Sequence, residues 1–185
     1  GMALYTESDE GARQVKTLIP QMLPEGGCQL QQTSLIPLPG GMRHYALYLP
    51  MYSGLSSLLL GIAPDAQMLP GRTPALEKPL VFYGSSITQG GCAATAGSCY
   101  PTLLARRLDA AQINLGFSGN ARGEECMARY IAGLKMSAFI LDYDHNAPTV
   151  EHLRNTHARF FQIVRQAQPE TPVLLASRPN FEADP

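Results

Sequence analysis

Short apolar segments alternate with helical patterns in the second half of this 185-residue chain, and this alternation is the strongest constraint on its fold. The apolar segments cover residues 80–83, 113–115, 138–141 and 173–176. Between them, apolar side chains recur every three or four residues, which is typical of amphipathic helices. Strands that alternate with helices form a parallel sheet through right-handed crossovers. Residues 80–185 are therefore predicted to form a flavodoxin-like, three-layer α/β/α domain with a parallel sheet.

The helical patterns also predict which side chains form the core of this domain. Each of the patterns at 100–108, 124–134 and 153–164 carries one apolar stripe. The stripes consist of Leu103, Leu104 and Leu108; Met127, Ile131 and Leu134; and Phe160, Phe161 and Val164. Aromatic and methionine side chains at helical spacing are far more often core residues than cofactor contacts. We expect these helices to lie on the sheet, and no cofactor is implied.

The first predicted strand runs directly into Gly84-Ser85-Ser86. Gly84 allows a tight exit from the strand, and a helical pattern resumes further along the chain. In open parallel sheets, ligands bind at the carboxyl ends of the strands. Backbone N–H groups at such a turn can also bind an oxyanion. Ser86 is therefore a candidate nucleophile at the rim of a cleft.

Two later segments follow predicted strands in the same manner. They read Asn-Leu-Gly-Phe-Ser-Gly-Asn at 114–120 and Leu-Asp-Tyr-Asp-His-Asn at 141–146. With Gly84-Ser85-Ser86, and in this order, they resemble the first three blocks of the SGNH hydrolases, or GDSL esterases. The resemblance implies that Ser86 is the nucleophile and that its own N–H, the Gly119 N–H and the Asn146 side chain form the oxyanion hole. Such donors stabilise the tetrahedral oxyanion of ester attack, each by about 3 kcal/mol.

The chain departs from the family pattern at two places. Ser85 stands where Gly-Asp-Ser has its acid, and Gly-Ser-Ser occurs in one branch of the family. The family's catalytic base lies in an Asp-x-x-His block late in the domain, but no histidine follows His157. A serine without a positioned base is a weak nucleophile. The sequence therefore predicts a truncated chain whose base lies beyond Pro185.

Other polar residues have two interpretations each. The histidines are expected to have structural roles: His44, His145, His152 and His157. His145 is the strongest alternative base among them, because it adjoins Asn146. Several polar loop residues either line a substrate pocket or cap loops and form surface ion pairs: Thr88, Gln89, Asn120, Arg122, Asp142 and Asp144. Asp142 ends an apolar strand, so burial against the neighbouring loop is its alternative.

Residues 1–79 have a different pattern, with short apolar segments separated by proline and glycine. These segments, including 57–62, are predicted to be strands of a partial β-sandwich-like segment, so that the domains are 1–79 and 80–185. Segments 45–55 and 57–62 resemble the β-rich module that precedes the hydrolase domain in the Gly-Ser-Ser branch. The first five residues resemble its Gly-x-Asp-Leu-Tyr motif, with Ala3 in place of the acid; a tag glycine before an initiator methionine is the alternative. An incomplete sandwich exposes strand edges, which a homo-oligomer or the second domain would cover.

Composition and charge narrow the classes of partner and site. A net charge of −1 without a basic stripe argues against nucleic-acid binding. The longest apolar stretch, near 55–63, is too short to span a membrane, so a soluble protein is expected. The cysteines lack zinc-ligand spacing, and no metal is expected: Cys28, Cys92, Cys99 and Cys126. Their low density favours free thiols in a reducing cytoplasm, while a Cys92–Cys99 bridge is the alternative in a secreted or periplasmic protein.

These observations lead to one principal functional hypothesis and two alternatives. The principal hypothesis is a serine esterase that removes an acetyl or other short acyl group from a carbohydrate or similar polar substrate, through an acyl-enzyme. The first alternative is a catalytically inactive relative that binds a ligand but lacks the general base. A flavodoxin-like nucleotide binder is disfavoured, because no phosphate-binding glycine pattern follows the first strand.

Overall fold

The computed structural model describes residues 1–8, 10–19 and 36–177. Backbone contacts divide the chain into two compact units. The N-terminal unit comprises Gly1–Thr73 and Ala93–Ser98, and the α/β unit comprises Pro74–Cys92 and Cys99–Pro185. The predicted division after residue 79 runs through a strand that begins at Leu76, and it does not include the return of residues 93–98 to the N-terminal unit. Cys28 lies outside the described residues.

The N-terminal unit contains a three-stranded antiparallel sheet. Its strands are β1 (Met2–Ser8), β2 (Gly11–Leu18) and β3 (His44–Tyr48), in the order β2-β1-β3. The described residues of this unit thus contain one layer of the predicted sandwich-like segment. One side of the sheet buries Ala3 and Tyr5 together with Ala96, and Tyr48 packs against them. The loop 93–98 therefore completes the small core of this sheet.

Residues 49–75 contain no helix or strand, and the predicted strand at 57–62 is wrong. Strands need partners for their backbone groups and a face to bury, and among the described residues this segment has neither. Prolines at positions 50, 64, 70 and 74 remove backbone donors that a sheet would use. The apolar run remains in solvent, with Leu59 90% exposed and Leu60 62% exposed.

The α/β unit has the predicted parallel sheet. Its strands are β4 (Leu76–Gly84), β5 (Ala110–Gly116), β6 (Ala138–Asp142) and β7 (Val173–Leu175), in the order β5-β4-β6-β7. Its helices are α1 (Ser86–Gln89), α2 (Tyr100–Arg107), α3 (Glu125–Ala132) and α4 (Val150–Ala167). A short 3-10 helix covers Asp144–Asn146. None of the described helices is long and apolar enough to cross a bilayer.

Both faces of this sheet are covered, which confirms the three-layer α/β/α fold. Alternate strand residues point to opposite faces. One face packs α3 and α4 on the strands through a buried cluster that includes Val81, Tyr83, Ile131, Phe139, Phe160 and Val164. The other face packs α2 on Leu80, Phe82 and Ile140. The core positions predicted for α3 and α4 pack into the first cluster, except Phe161, which is partly buried and carries the Arg165 guanidinium 5.5 Å from its ring centre.

The stripe predicted for α2 is wrong in two of its three positions. Leu103 is 50% exposed and Leu108 is 46% exposed, whereas Leu104 packs partly buried against the core. The buried residues of α2 are Pro101, Thr102 and Ala105. Leu108 is the C-cap residue, where helical periodicity no longer sets the direction of the side chain. A helix this short gives too few repeats to define its buried face from the sequence.

Candidate active site

The loops that carry the predicted site residues leave the sheet at one edge. Gly84 is paired in register with Gly116 on one side and with Asp142 on the other, so β4, β5 and β6 end together. Residues 85–89, 117–120 and 143–146 follow these three strands directly. The parallel sheet therefore brings the three segments to its carboxyl edge, where open α/β sheets bind ligands.

The two serines after β4 have different environments. Ser85 is fully buried and is the N-cap of α1; its Oγ accepts a hydrogen bond from the Ile87 N–H at 3.2 Å. The Ser85 N–H donates to the Asp142 carbonyl oxygen at 3.0 Å. Ser86 is the first residue of α1 and is partly exposed. Of the two serines, Ser86 is therefore the one that reaches the surface.

Glycine is required where the strand meets this turn. A Cβ atom on Gly84 would lie 2.0 Å from Thr88 Oγ1 and 2.5 Å from the Asp142 carbonyl oxygen. A Cβ atom on Gly116 would lie 2.2 Å from the Gln89 backbone nitrogen. Real Cβ atoms do not approach other atoms so closely. The contacts with the Asp142 carbonyl oxygen and the Gln89 nitrogen are with backbone atoms, which a rotamer change cannot relieve. The two glycines let α1 pack directly on the ends of β4 and β5.

Phe117 connects the three site segments through its backbone. Its N–H donates to the Gly84 carbonyl oxygen at 2.9 Å. Its carbonyl oxygen accepts a hydrogen bond from the Asn146 Nδ2 at 3.0 Å. The Asn146 amide, in the 3-10 helix after β6, is thereby fixed to the loop that contains Gly119. The segments that carry the predicted oxyanion donors Ser86, Gly119 and Asn146 are therefore joined through the backbone of Phe117.

The loop around Gly119 is held by several further hydrogen bonds. Gly119 is exposed and has a φ of +68°, a left-handed conformation that glycine adopts without strain. Gln89 Oε1 accepts from the Ser118 N–H at 2.7 Å, and Arg122 Nε donates to the Gly119 carbonyl oxygen at 3.1 Å. Asn120 Nδ2 donates to the Ser118 carbonyl oxygen at 2.9 Å. Gln89, Asn120 and Arg122 thus have roles in holding this loop, in accord with the capping interpretation of polar loop residues.

The segment after this loop is fixed to the core. The Tyr83 hydroxyl accepts from the Gly123 N–H at 3.0 Å and donates to the Glu124 carboxylate. Burial, with the Glu124 hydrogen bond, raises the pKa of Tyr83. Gly123 and Glu124 border a groove of about 310 Å³ between the start of α3 and α4, with Arg122 and His152 also in its lining. Sequence reasoning missed the Tyr83–Glu124 pair, because residues 41 positions apart carry no local signal.

Asp142 is buried, as in the second of the two interpretations of its sequence position, and does not line a substrate pocket. Its side chain is 7% exposed, and its Oδ2 accepts from Thr88 Oγ1 at 2.9 Å and from the Tyr100 hydroxyl at 2.8 Å. The Thr88 side chain is completely buried. Neither of these two predicted pocket residues therefore lines an open pocket. Asp144, by contrast, accepts from Ser177 Oγ at 3.0 Å at the surface.

The histidines of the α/β unit have identifiable environments. His152 Nε2 lies 2.7 Å from the Arg122 carbonyl oxygen. The His157 ring stacks on Tyr143 with 5.7 Å between centres, and its burial lowers its pKa, partly offset by Asp144. His145 is partly buried in the 3-10 helix beside Asn146. Structural contacts thus account for His152 and His157, and the expectation of a base in an Asp-x-x-His block stays a prediction.

The described cysteines and acidic residues give no metal site. Cys92, Cys99 and Cys126 are free thiols, with Cys99 buried and the other two exposed. Within the described ranges, no group of three or more histidine, cysteine, aspartate or glutamate side chains could hold a metal ion. Cys99 Sγ lies instead 3.3 Å from Thr102 Oγ1 in the first turn of α2.

Comparison with known proteins identifies what this arrangement is similar to. The model of the GDSL-like Lipase/Acylhydrolase family matches residues 77–184. A solved structure described as a GDSL-like lipase, from Bacteroides ovatus ATCC 8483, is 32% identical with a TM-score of 0.83. That match covers 94% of this chain but 50% of the other protein, so this chain spans half the length of that relative. No curated protein matches the chain significantly.

Two further solved structures share a smaller part of the fold. The salicylyl-acyltransferase SsfX3 from a tetracycline biosynthetic pathway is 24% identical with a TM-score of 0.47, over 54% of this chain and 32% of its own. A mutant of the esterase AlinE4 is 18% identical with a TM-score of 0.40, over 56% of this chain and 61% of its own. Both TM-scores are below 0.5, so neither similarity supports an argument about this chain.

Proposed function

Because the chain belongs to the GDSL-like lipase/acylhydrolase family, we propose that it is a serine ester hydrolase with Ser86 as its nucleophile. Its oxyanion hole consists of the Ser86 N–H, the Gly119 N–H and the Asn146 side-chain amide. The supporting observation is the backbone of Phe117, which hydrogen-bonds both Gly84 and Asn146 and so links all three segments. Convergent donors of this kind stabilise an oxyanion only when their positions are fixed in advance.

The proposed reaction has two steps. Ser86 Oγ attacks the ester carbonyl carbon while a general base removes its proton, and the resulting oxyanion is held by the three donors. The carbon–oxygen bond to the alcohol then breaks, and the alcohol leaves with the proton from the base. Water next attacks the acyl-enzyme in the same manner and releases the carboxylic acid. His152 and His157 already have structural contacts, so we expect the base from an Asp-x-x-His segment after His157, which this sequence does not contain. His145, beside Asn146, stays the alternative base.

The proposed substrate is an acetyl or other short acyl ester of a carbohydrate or a similar polar compound. Support for a polar substrate comes from the resemblance of the Gly-Ser-Ser motif to one branch of the family. Asn120 and Arg122 also place exposed polar side chains beside Gly119, next to the exposed Phe117 ring. One fold hosts many functions, and the site residues carry the specificity, so fold alone does not define the alcohol.

Labelling by a fluorophosphonate, together with hydrolysis of an activated acetyl ester, tests this proposal. The natural full-length protein should be labelled, and Ser86→Ala should abolish both labelling and hydrolysis. Ser85→Ala is the matched control, because it removes the neighbouring hydroxyl. That variant should lose only the helix cap, about 1 kcal/mol of stability, and should still be labelled.

The same labelling experiment can also contradict the proposal. A folded wild-type protein that is labelled no faster than Ser86→Ala is not a serine hydrolase. Ligand binding without turnover by the same sample would then favour the inactive binding protein. If peptide mapping of the wild-type protein found the fluorophosphonate on Ser85 instead of Ser86, Ser85 would be the nucleophile.

A further inference from the structure

Asp142 is a buried carboxylate directly behind the nucleophile turn. Its backbone carbonyl accepts from the Ser85 N–H, and its side chain accepts from the Thr88 and Tyr100 hydroxyls. The two hydroxyl oxygens lie 3.1 Å from each other. A buried carboxylate is costly unless it is hydrogen-bonded, and bonds from hydroxyls to an ionised carboxylate are strong ones. This cluster is therefore a firm attachment point between β6, α1 and α2.

Helix α1 depends on such an attachment. It has four residues, too few to be stable through its own backbone hydrogen bonds. Thr88, its third residue, is fixed from two directions: its hydroxyl bonds Asp142 at 2.9 Å, and its carbonyl accepts from Asn114 Nδ2 at 2.8 Å. Ser86 lies in the same helical turn, two residues earlier. The contacts of Thr88 consequently set the rotation of α1 about its axis and, with it, the position of Ser86.

We propose that Asp142 is a positioning residue for the nucleophile, acting through Thr88 on α1. This inference rests on the proposed function of Ser86. The acid that Gly-Asp-Ser places before the nucleophile is absent here, because Ser85 occupies that position and caps α1. The carboxylate bonded to this turn comes instead from the end of β6.

The cluster provides a matched pair of variants. Thr88→Val and Tyr100→Phe each remove one hydroxyl from the same carboxylate with little change of shape. Both should lower the unfolding temperature, since each deletes one hydrogen bond to Asp142. Thr88→Val removes the hydrogen bond between α1 and the Asp142 carboxylate, whereas Tyr100→Phe leaves that bond in place and removes the one from α2. If Asp142 has only a structural role, Thr88→Val and Tyr100→Phe should have similar activity. If Asp142 positions Ser86 through Thr88, Thr88→Val should be the less active of the two.

We expect Thr88→Val to slow the fluorophosphonate labelling of Ser86 and to lower kcat by roughly tenfold to a hundredfold, with KM little changed. A misplacement of about 1 Å is enough for a loss of this size. Tyr100→Phe should lose clearly less, and Thr88→Ser, which restores the hydroxyl, should recover most of the rate. If Thr88→Val does not fold, Asp142→Asn replaces it in the test. That variant keeps an acceptor oxygen but removes the charge, and its kcat should fall with KM unchanged.

Three results overturn the inference, and they are distinguishable from one another. Equal rates for Thr88→Val and Tyr100→Phe, in folded samples, would show that the cluster is only structural. An unchanged kcat in Asp142→Asn would show the same by another route. A wild-type protein whose labelling is no faster than that of Ser86→Ala would instead refute the proposed function on which the inference rests.

Discussion

The two units of this protein are stabilised in different ways. In the α/β unit, both faces of the sheet are covered, and side chains as large as Tyr83, Phe139 and Phe160 are at most 1% exposed. In the N-terminal unit, the sheet buries a small cluster in which Ala3 and Tyr5 pack with Ala96 from the loop 93–98. Stabilisation in the first unit is therefore spread over a large apolar core. In the described part of the N-terminal unit it depends on few contacts, so one added atom in this cluster is expected to lower its stability.

The largest effect is expected from truncation of the α/β core. Phe160 stacks on Tyr83 with 4.8 Å between ring centres and lies 6.1 Å from Phe139. Phe160→Ala would leave a cavity among these rings and should lower the free energy of unfolding by about 3–5 kcal/mol. Urea unfolding measures this loss. The neighbouring Phe161→Ala is the control, because Phe161 is only partly buried and should lose clearly less; equal losses would mean that this face is not tightly packed.

The next effect concerns the N-terminal unit. Gly97 has a φ of +86°, and a Cβ atom there would lie 2.5 Å from the Tyr48 ring. Gly97→Ala should destabilise this unit by about 1–3 kcal/mol, through both backbone strain and the clash. Amide hydrogen exchange should show lost protection in β1 and β3, with α4 unchanged.

Gly41→Ala separates the two causes. Gly41 has a similar φ of +91°, but an added Cβ atom would meet no atom of the described residues within 4 Å. This variant should show the strain alone and therefore a smaller loss. If Gly41→Ala and Gly97→Ala were equally destabilising, the packing of Tyr48 on the loop would contribute nothing, and the contrast between the units would lose its basis.

The same contrast explains how far the sequence predicts the fold. The strands of the α/β unit contain short apolar runs that end in glycine or polar loops and alternate with helical patterns, so their existence and parallel arrangement follow from local pattern. The site segments at 84–86, 114–120 and 141–146 follow these strands, and their common edge could therefore be predicted. The catalytic roles of Ser86, Gly119 and Asn146 remain predictions.

What the sequence does not predict depends on distant contacts. The apolar run at 57–62 has the composition of a strand but no partner in the described structure, and composition cannot reveal a missing partner. The packing of Ala96 on Ala3 and Tyr5 joins residues about ninety positions apart. Likewise, the sequence leaves the burial of Asp142 as one of two alternatives, because its partner Tyr100 lies 42 positions away in α2.

The smallest effect expected is a loss of stability in acid that is confined to the α/β unit. His157 in α4 stacks on Tyr143, and burial lowers its pKa from 6.5, while Asp144 partly opposes this. The unfolded chain then binds the proton at higher pH than the folded chain does. Protonation consequently favours unfolding as the pH falls below about 6.5, and the stability is lost toward the lower folded pKa.

Urea unfolding of the wild type and His157→Gln between about pH 7.5 and 5.5 measures this contribution. The wild-type midpoint should fall over this range, and the fall should be smaller in His157→Gln, because glutamine does not titrate. His44→Gln, in β3 of the N-terminal unit, shows what the loss of an imidazole outside the α/β unit does. An undiminished acid loss in His157→Gln would mean that protonation of this ring does not oppose folding, and that the core beside Tyr143 admits enough water to solvate the charge.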